Sequence, residues 1–178
     1  PYSHQFMNNT RHALLPFYCI VLFLPFFGTA QTSALPVPVM PQIFEEGIVS
    51  TALYERDMAI SPGGTDMFYT VSIRATGFQT IIHRYKTNNG WSAPQVASFS
   101  GQYSDLEPAF SPDGKKLFFC SNRPLSGEQS KDFDIWYVEK HTGTWGTPQN
   151  PAAPLNAGGD QYFPSVAQNG NLDFTATR

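Results

Sequence analysis

The chain has 178 residues, of which 15% are aromatic and only 14% are charged, and it contains 15 prolines and 14 glycines. This composition favours a single domain of short strands joined by tight turns, and no long segment has the periodicity of an amphipathic helix. The mild net charge of −3 argues against nucleic acid or an anionic membrane surface as a partner.

Residues 1–30 have the layout of a secretory signal peptide. Arg11 precedes an apolar run from Leu14 to Phe27, and the small residues Gly28-Thr29-Ala30 follow it directly before Gln31. This order of basic, apolar and small residues is typical of a cleaved export signal. The apolar run is shorter than the roughly 20 residues of a membrane-spanning helix, so an uncleaved anchor is the weaker alternative. We therefore predict cleavage after Ala30, with the membrane contacted only through the removed segment.

Cleavage would leave Cys120 as the single cysteine of the mature chain. A lone cysteine cannot form an internal disulfide, so an exported domain must rely on its apolar core. Cys120 ends the apolar run that begins at Leu117, which predicts a buried packing residue rather than a reactive thiol.

After a proline-rich, extended lead-in at residues 31–39, the sequence from residue 40 onward repeats. Pro-Gln pairs begin at Pro41, Pro94 and Pro148, and a Pro-containing turn at Ser61 recurs at Ser111, with a degraded copy ending at Gly170. The period is roughly 50 residues, which indicates a propeller or a similar array of repeated sheets.

The second of these turns, Ser111-Pro-Asp-Gly, is the most specific. Proline at the second position and glycine at the last are typical of a type I turn, and the flanking β-rich runs predict a hairpin. We expect the carboxylate of Asp113 to accept hydrogen bonds from N–H groups of the turn, with Arg123 as a further partner.

Each repeat divides into four short strands. The predicted strands are Met58–Ser61, Asp66–Ser72, Gln79–Lys86 and Pro94–Phe99 in the first unit, and Pro108–Ser111, Lys116–Ser121, Asp132–Glu139 and Thr147–Ala152 in the second. A four-stranded antiparallel unit of this length is one propeller blade. Residues 40–178 are therefore predicted to be an all-β, partial β-propeller with about two full blades and the start of a third.

Both ends of the sequence favour a fragment of a longer protein. The segment Met40–Phe44 matches a fourth strand, which could close a ring by pairing with the last blade and so remove exposed sheet edges. The first residue is Pro1 and the last repeat stops partway, whereas a ring needs at least about four blades. We expect the remaining blades to lie outside this sequence.

Three segments carry a family resemblance: Glu107–Arg123, Phe133–Tyr137 and the stretch from Trp145 to Pro164. They resemble the TolB-type, WD-repeat-like β-propeller family of exported bacterial proteins, and the resemblance covers roughly residues 40–178. The first copy has Gly63 in place of the turn aspartate and the third has lost its Ser-Pro, which leaves their turn types open.

This resemblance implies a non-catalytic platform that binds a protein, peptide or glycan in the periplasm, at the outer membrane or outside the bacterial cell. Related propellers also precede serine peptidase domains or occur in oligosaccharide lyases. The alternative is therefore the propeller portion of a larger enzyme whose catalytic residues lie beyond Arg178. The resemblance supports a fold more strongly than a function.

Three acidic residues are candidates for a binding face. Asp105 and Glu107 stand just before the first strand of the second unit, where propeller loops approach the central channel, and Asp160 holds the comparable place in the next unit. The alternative interpretation is that they are polar loop residues. Asp132 and Asp134 alternate on a strand and share one face, which suits either a cation or structural pairing with neighbouring basic residues.

The sequence contains no signal for catalysis. The Gly-x-Ser-x-Gly motif of a hydrolase nucleophile does not occur, and His83 and His141 have no partner at metal-ligand spacing. We therefore predict no catalytic residue, metal ligand or cofactor in this chain.

Overall fold

The computed structural model describes residues 40–127 and 132–177, so the predicted signal peptide and proline-rich lead-in lie outside the described residues. The chain divides at Met40, and every described strand belongs to the unit Pro41–Arg178. Within the described ranges the regular structure is β-strand throughout. A helix long and apolar enough to cross a membrane is not found in these ranges.

The strands form three antiparallel sheets that follow one another along the chain. The first blade contains β1 (Tyr54–Ile60), β2 (Asp66–Ile73), β3 (Phe78–Thr87), β4 (Gly90–Trp91) and β5 (Gln95–Val96). The second blade contains β6 (Asp105–Phe110), β7 (Lys116–Ser121), β8 (Asp134–His141) and β9 (Thr144–Trp145). The third blade contains β10 (Gln161–Val166) and β11 (Leu172–Ala176). Within each blade a strand pairs with the next in sequence, except that β5 pairs with β3, as β4 does.

These sheets confirm the predicted fold class. Both complete blades have the order of a four-stranded antiparallel meander, and the first strands β1, β6 and β10 lie next to one another. Neighbouring first strands with successive sheets behind them define the blade arrangement of a propeller. The chain is thus an all-β, partial β-propeller.

The fourth strands differ from the prediction because each is interrupted by a proline. In the first blade β4 pairs with the end of β3, and the pairing resumes at β5, immediately after Pro94. In the second blade β9 pairs with the end of β8, and Gln149 then bridges Tyr137 directly after Pro148. Proline has no N–H for the ladder and so breaks the outer strand. The predicted starts at Pro94 and Thr147 were therefore several residues late.

Residues Met40–Phe44 match a fourth strand whose predicted partner is a last blade outside this sequence, and that pairing stays a prediction. These residues form no strand, and the first bridge of this segment joins Glu46 to Ser50. A fourth strand needs a third strand beside it, and none of the described residues offers one here. The residues that follow this segment contact the first blade, where Val49 packs with Met67 and Tyr69.

The apolar core lies between the blades. Alternate side chains of a strand point to opposite faces, so the second blade contributes to a layer on each of its sides. The layer between the first and second blades contains Phe68, Ile81, Ala97, Phe99, Leu117, Phe119, Trp136, Val138 and Trp145. The layer between the second and third blades contains Leu106, Cys120 and Ile135, with Tyr162 and Leu172 packed against them.

The turn at Ser111 has the predicted hydrogen bonds. The N–H of Gly114 donates to the carbonyl oxygen of Ser111 at 2.9 Å, and the N–H of Lys115 donates to Asp113 Oδ1 at 3.0 Å. The corresponding glycines close the other two turns in the same way, through Gly64 and Gly170.

Arg123, however, is not a partner of Asp113. The turn precedes β7, whereas Arg123 follows the end of that strand at Ser121. A six-residue strand separates its two ends by about 15–20 Å. Arg123 instead pairs with Asp105, at 2.7 Å.

We expect Asp113→Ala to lower the unfolding temperature slightly. Hydrogen bonds from the hydroxyl of Ser111 and the N–H of Lys115 lower the pKa of Asp113, but the side chain is exposed, so solvent replaces part of what is lost. Thermal unfolding followed by circular dichroism measures the change. Asp113→Asn keeps the Oδ1 acceptor and is the control; equal destabilisation by both variants would contradict this role.

Candidate functional site

The first strand of every blade contains a β-bulge at the same place. The register shifts lie between Arg56 and Ala59, between Leu106 and Ala109, and between Tyr162 and Ser165. In each bulge one residue other than glycine has a positive φ: 53° at Asp57, 57° at Glu107 and 55° at Phe163. This left-handed region is sparsely populated by such residues. The strained conformation is therefore a repeated feature of the blades.

The three bulges line one cavity of about 270 Å³, which we call the bulge cavity. Its lining comprises Asp57, Met58, Glu107, Pro108, Phe163, Pro164 and Ser165. Met58 is 46% exposed and Phe163 is 57% exposed. The cavity thus combines exposed apolar side chains with carboxylates.

Glu107 links all three blades. Its carboxylate is only 5% exposed and accepts hydrogen bonds from Arg56 Nη2 at 3.1 Å, Cys120 Sγ at 3.2 Å and the N–H of Phe163 at 2.6 Å. Its own N–H donates to Thr70 Oγ1 at 3.0 Å. Arg56 belongs to the first blade and Phe163 to the third, so the Glu107 carboxylate fixes the position of the bulges.

Cys120 is a packing residue, as the sequence predicted. Its side chain is fully buried. Burial raises the pKa of the Cys120 thiol well above its ordinary value, and the nearby Glu107 carboxylate raises it further. The thiol is therefore protonated at neutral pH and acts as a hydrogen-bond donor rather than as a nucleophile.

The structure places the other two acidic candidates away from the bulge cavity. Asp105 is completely buried and accepts hydrogen bonds from Ser100 Oγ at 2.8 Å and Arg123 Nη2 at 2.7 Å. Asp160 Oδ1 accepts the N–H of Phe133 at 2.9 Å. Only Glu107 of the three predicted residues lines the cavity, and ligand contact by any of them stays a prediction.

Sequence reasoning missed the apolar lining of the bulge cavity. Met58 follows the strained residue Asp57, and Phe163 is itself strained. Neither methionine nor phenylalanine is unusual in a strand, so the sequence did not mark these positions. Pro108 and Pro164 lie at the same spacing before the turn glycines Gly114 and Gly170, and this repeated proline is the signal that could have located the bulges.

A second polar cluster joins the first and second blades. Asp66 is buried and accepts hydrogen bonds from Lys140 Nζ at 2.8 Å and Thr65 Oγ1 at 2.9 Å, and His83 Nε2 lies 3.0 Å from its other oxygen. Burial by itself would raise the pKa of Asp66, but the hydrogen bonds, chiefly that from Lys140, outweigh burial and lower the pKa.

We expect Lys140→Met to destabilise the protein more at pH 7 than at pH 3. Because the folded pKa of Asp66 lies below its ordinary value of 3.8, its stabilising contribution is complete above pH 3.8 and is lost as the pH falls through the folded pKa. Unfolding temperatures at the two pH values measure the effect, with the exposed Lys115→Met as control. A wild-type advantage that is the same at both pH values would contradict this assignment.

The described residues contain no group of three or more His, Cys, Asp or Glu side chains that could hold a metal ion. The bulge cavity places exposed apolar side chains beside two carboxylates, of which Glu107 is hydrogen-bonded and Asp57 is paired with Arg56.

The fold and this cavity define the class of the protein as a β-propeller with strained first-strand bulges at a shared cavity. Comparison with known proteins adds no family to this class, since no family model matches the sequence and no curated protein matches it significantly.

Proposed function

We propose that the chain is an exported, non-catalytic β-propeller of the TolB-like type that binds a protein, peptide or glycan at the bacterial cell envelope. The observation that carries this proposal is the bulge cavity, to which all three blades contribute the same strained backbone feature. Backbone strain in residues other than glycine persists only where the surroundings enforce it, and it is concentrated at ligand-binding and active sites.

The lining of the cavity suits recognition better than structural packing. Met58 and Phe163 expose large apolar side chains to solvent. Removing apolar surface from water stabilises a protein by roughly 25 cal/mol for each Å², so these two side chains forgo that stabilisation unless a partner covers them. Glu107 holds the bulges of the first and third blades in place through its bonds to Arg56 and Phe163. An apolar surface on a preorganised backbone loses little entropy when a partner binds.

Site-specific photo-crosslinking in the producing cell tests this surface. A photoreactive phenylalanine analogue replaces Phe163, which is 57% exposed, and in the control replaces Val96, which is 53% exposed on the outer edge of the first blade. We expect a discrete adduct from position 163 and none from position 96. Equal labelling at both positions, or at neither, would contradict the proposed binding surface.

The export part of the proposal rests on residues 1–30. We expect the mature protein to begin at Gln31, because small residues precede this position after the apolar run. N-terminal sequencing of protein recovered from the periplasm or the medium tests the prediction. Recovery of an intact Pro1 terminus from the membrane fraction would favour the uncleaved anchor instead.

A further inference from the structure

A second cavity, of about 380 Å³, opens at the end of the sheets where β2 turns into β3. We call it the hairpin cavity. Its walls come from the β2–β3 hairpin, from the segment that enters β6 and from the residue after β7. The side chains that line it are Thr76, Phe78, Gln102, Tyr103, Ser104 and Asn122.

Hydrogen bonds hold these three walls together. The N–H of Gln79 donates to Ser104 Oγ at 3.0 Å. The N–H of Ser104 donates to Asn122 Oδ1 at 2.9 Å, and the N–H of Asn122 returns a bond to the carbonyl oxygen of Ser104 at 3.2 Å. Ser104 thus joins the first blade to the second, and the cavity has its shape before any ligand arrives.

The lining carries no charge. Every side chain is a hydroxyl, an amide or an aromatic ring. The guanidinium of Arg123 lies 5.8 Å from the centre of the Tyr103 ring, but it is paired with Asp105 at 2.7 Å. A charged ligand would meet no counter-charge among these lining residues, and burying an unpaired charge is costly.

Two amides keep hydrogen-bonding capacity for a ligand. Gln102 is exposed, and its Nε2 makes one long bond, of 3.4 Å, to the hydroxyl of Tyr103. In the described part of the chain, Asn122 uses its side-chain oxygen for Ser104 and forms no bond through Nδ2. An amide offers donors and an acceptor together, which matches a ligand rich in hydroxyl groups.

We propose that the hairpin cavity binds an uncharged saccharide. Sugar hydroxyls can pair with the amides of Gln102 and Asn122, and the apolar C–H face of a sugar ring can pack against Phe78 or Tyr103. The volume is at the lower end of the range for small-molecule sites. This site goes beyond the proposed function, because it uses a different surface from the bulge cavity.

Titration calorimetry of the full-length protein with maltotriose, cellotriose and chitotriose tests the proposal. We expect at least one of these neutral probes to bind, and Gln102→Ala to weaken that binding about tenfold, as the loss of one ligand hydrogen bond does. The control is Gln168→Ala, which also removes an exposed amide, from a cavity at the opposite end of the sheets.

Three results would overturn the inference. They are the failure of all three probes to bind, equal affinity of the Gln102→Ala and Gln168→Ala variants, and loss of sugar binding in Phe163→Ser. The last result would assign the sugar to the bulge cavity, and so would support the proposed function while rejecting the hairpin cavity. Conversely, unchanged sugar binding by Phe163→Ser leaves the two sites distinct.

Discussion

Arg123→Ala is expected to lower the free energy of unfolding by about 3–5 kcal/mol, the typical loss when one partner of a buried ion pair is removed. The Arg123 side chain is 10% exposed and that of Asp105 is not exposed at all. Arg123 also donates to the carbonyl oxygen of Phe99 at 3.0 Å and to Ser121 Oγ at 2.8 Å. Alanine would leave a buried carboxylate and these acceptors without the guanidinium.

Urea unfolding of Arg123→Ala beside Arg74→Ala measures this loss. Arg74 is exposed and lies 4.7 Å from the centre of the Tyr54 ring, so it is a matched arginine with an aromatic contact but no buried partner. We expect the Arg74 variant to lose no more than about 1 kcal/mol. Similar losses for both variants would show that the buried Arg123–Asp105 pair contributes little to the stability of the fold.

Glu107→Ala is expected to cost about 2–3 kcal/mol, because the partly buried N–H of Phe163 and the buried thiol of Cys120 lose their acceptor. The bond to Arg56 adds little to this figure, since the Arg56 side chain is 34% exposed. Because Phe163 lies in β10, the third blade should loosen most. Hydrogen exchange should therefore accelerate in β10 more than in β2.

Glu107→Gly separates the carboxylate from the backbone strain. Glycine tolerates the φ of 57° at this position, whereas alanine keeps the strain and loses the hydrogen bonds. We expect the glycine variant to be more stable than the alanine variant by about 1 kcal/mol. Equal stability of the two variants, or unchanged exchange at Phe163, would contradict the role assigned to Glu107.

The repeated turns and strands were predictable because residues close together in the sequence determine them. The turn at Ser111 is fixed by its own proline and glycine, and the aromatic run Leu117–Cys120 alternates between two apolar layers. The short strands β4 and β9 were not predicted, because each consists of two residues. Their strand conformation depends on the ends of β3 and β8 rather than on local preference.

The site was harder to predict because it depends on contacts between blades. Asp105 and Glu107 are two residues apart in one strand, yet Asp105 pairs with Arg123 while Glu107 faces the bulge cavity. The bulge at Glu107 places these two side chains in different surroundings. The spacing of the residues in the sequence does not indicate that a bulge is present. The bonds to Thr70 and Phe163 come from neighbouring blades, which the sequence does not place side by side.

The proposed binding of an envelope partner at the bulge cavity depends on the exposed apolar side chains of its lining. The affinity of the full-length protein for the partner crosslinked at position 163, measured for the wild type, Met58→Ser and the control Val96→Ser, tests this proposal. Met58 and Val96 are 46% and 53% exposed, so both variants should fold normally. We predict about tenfold weaker binding for Met58→Ser and unchanged binding for Val96→Ser; equal affinities of the two variants would contradict the claim.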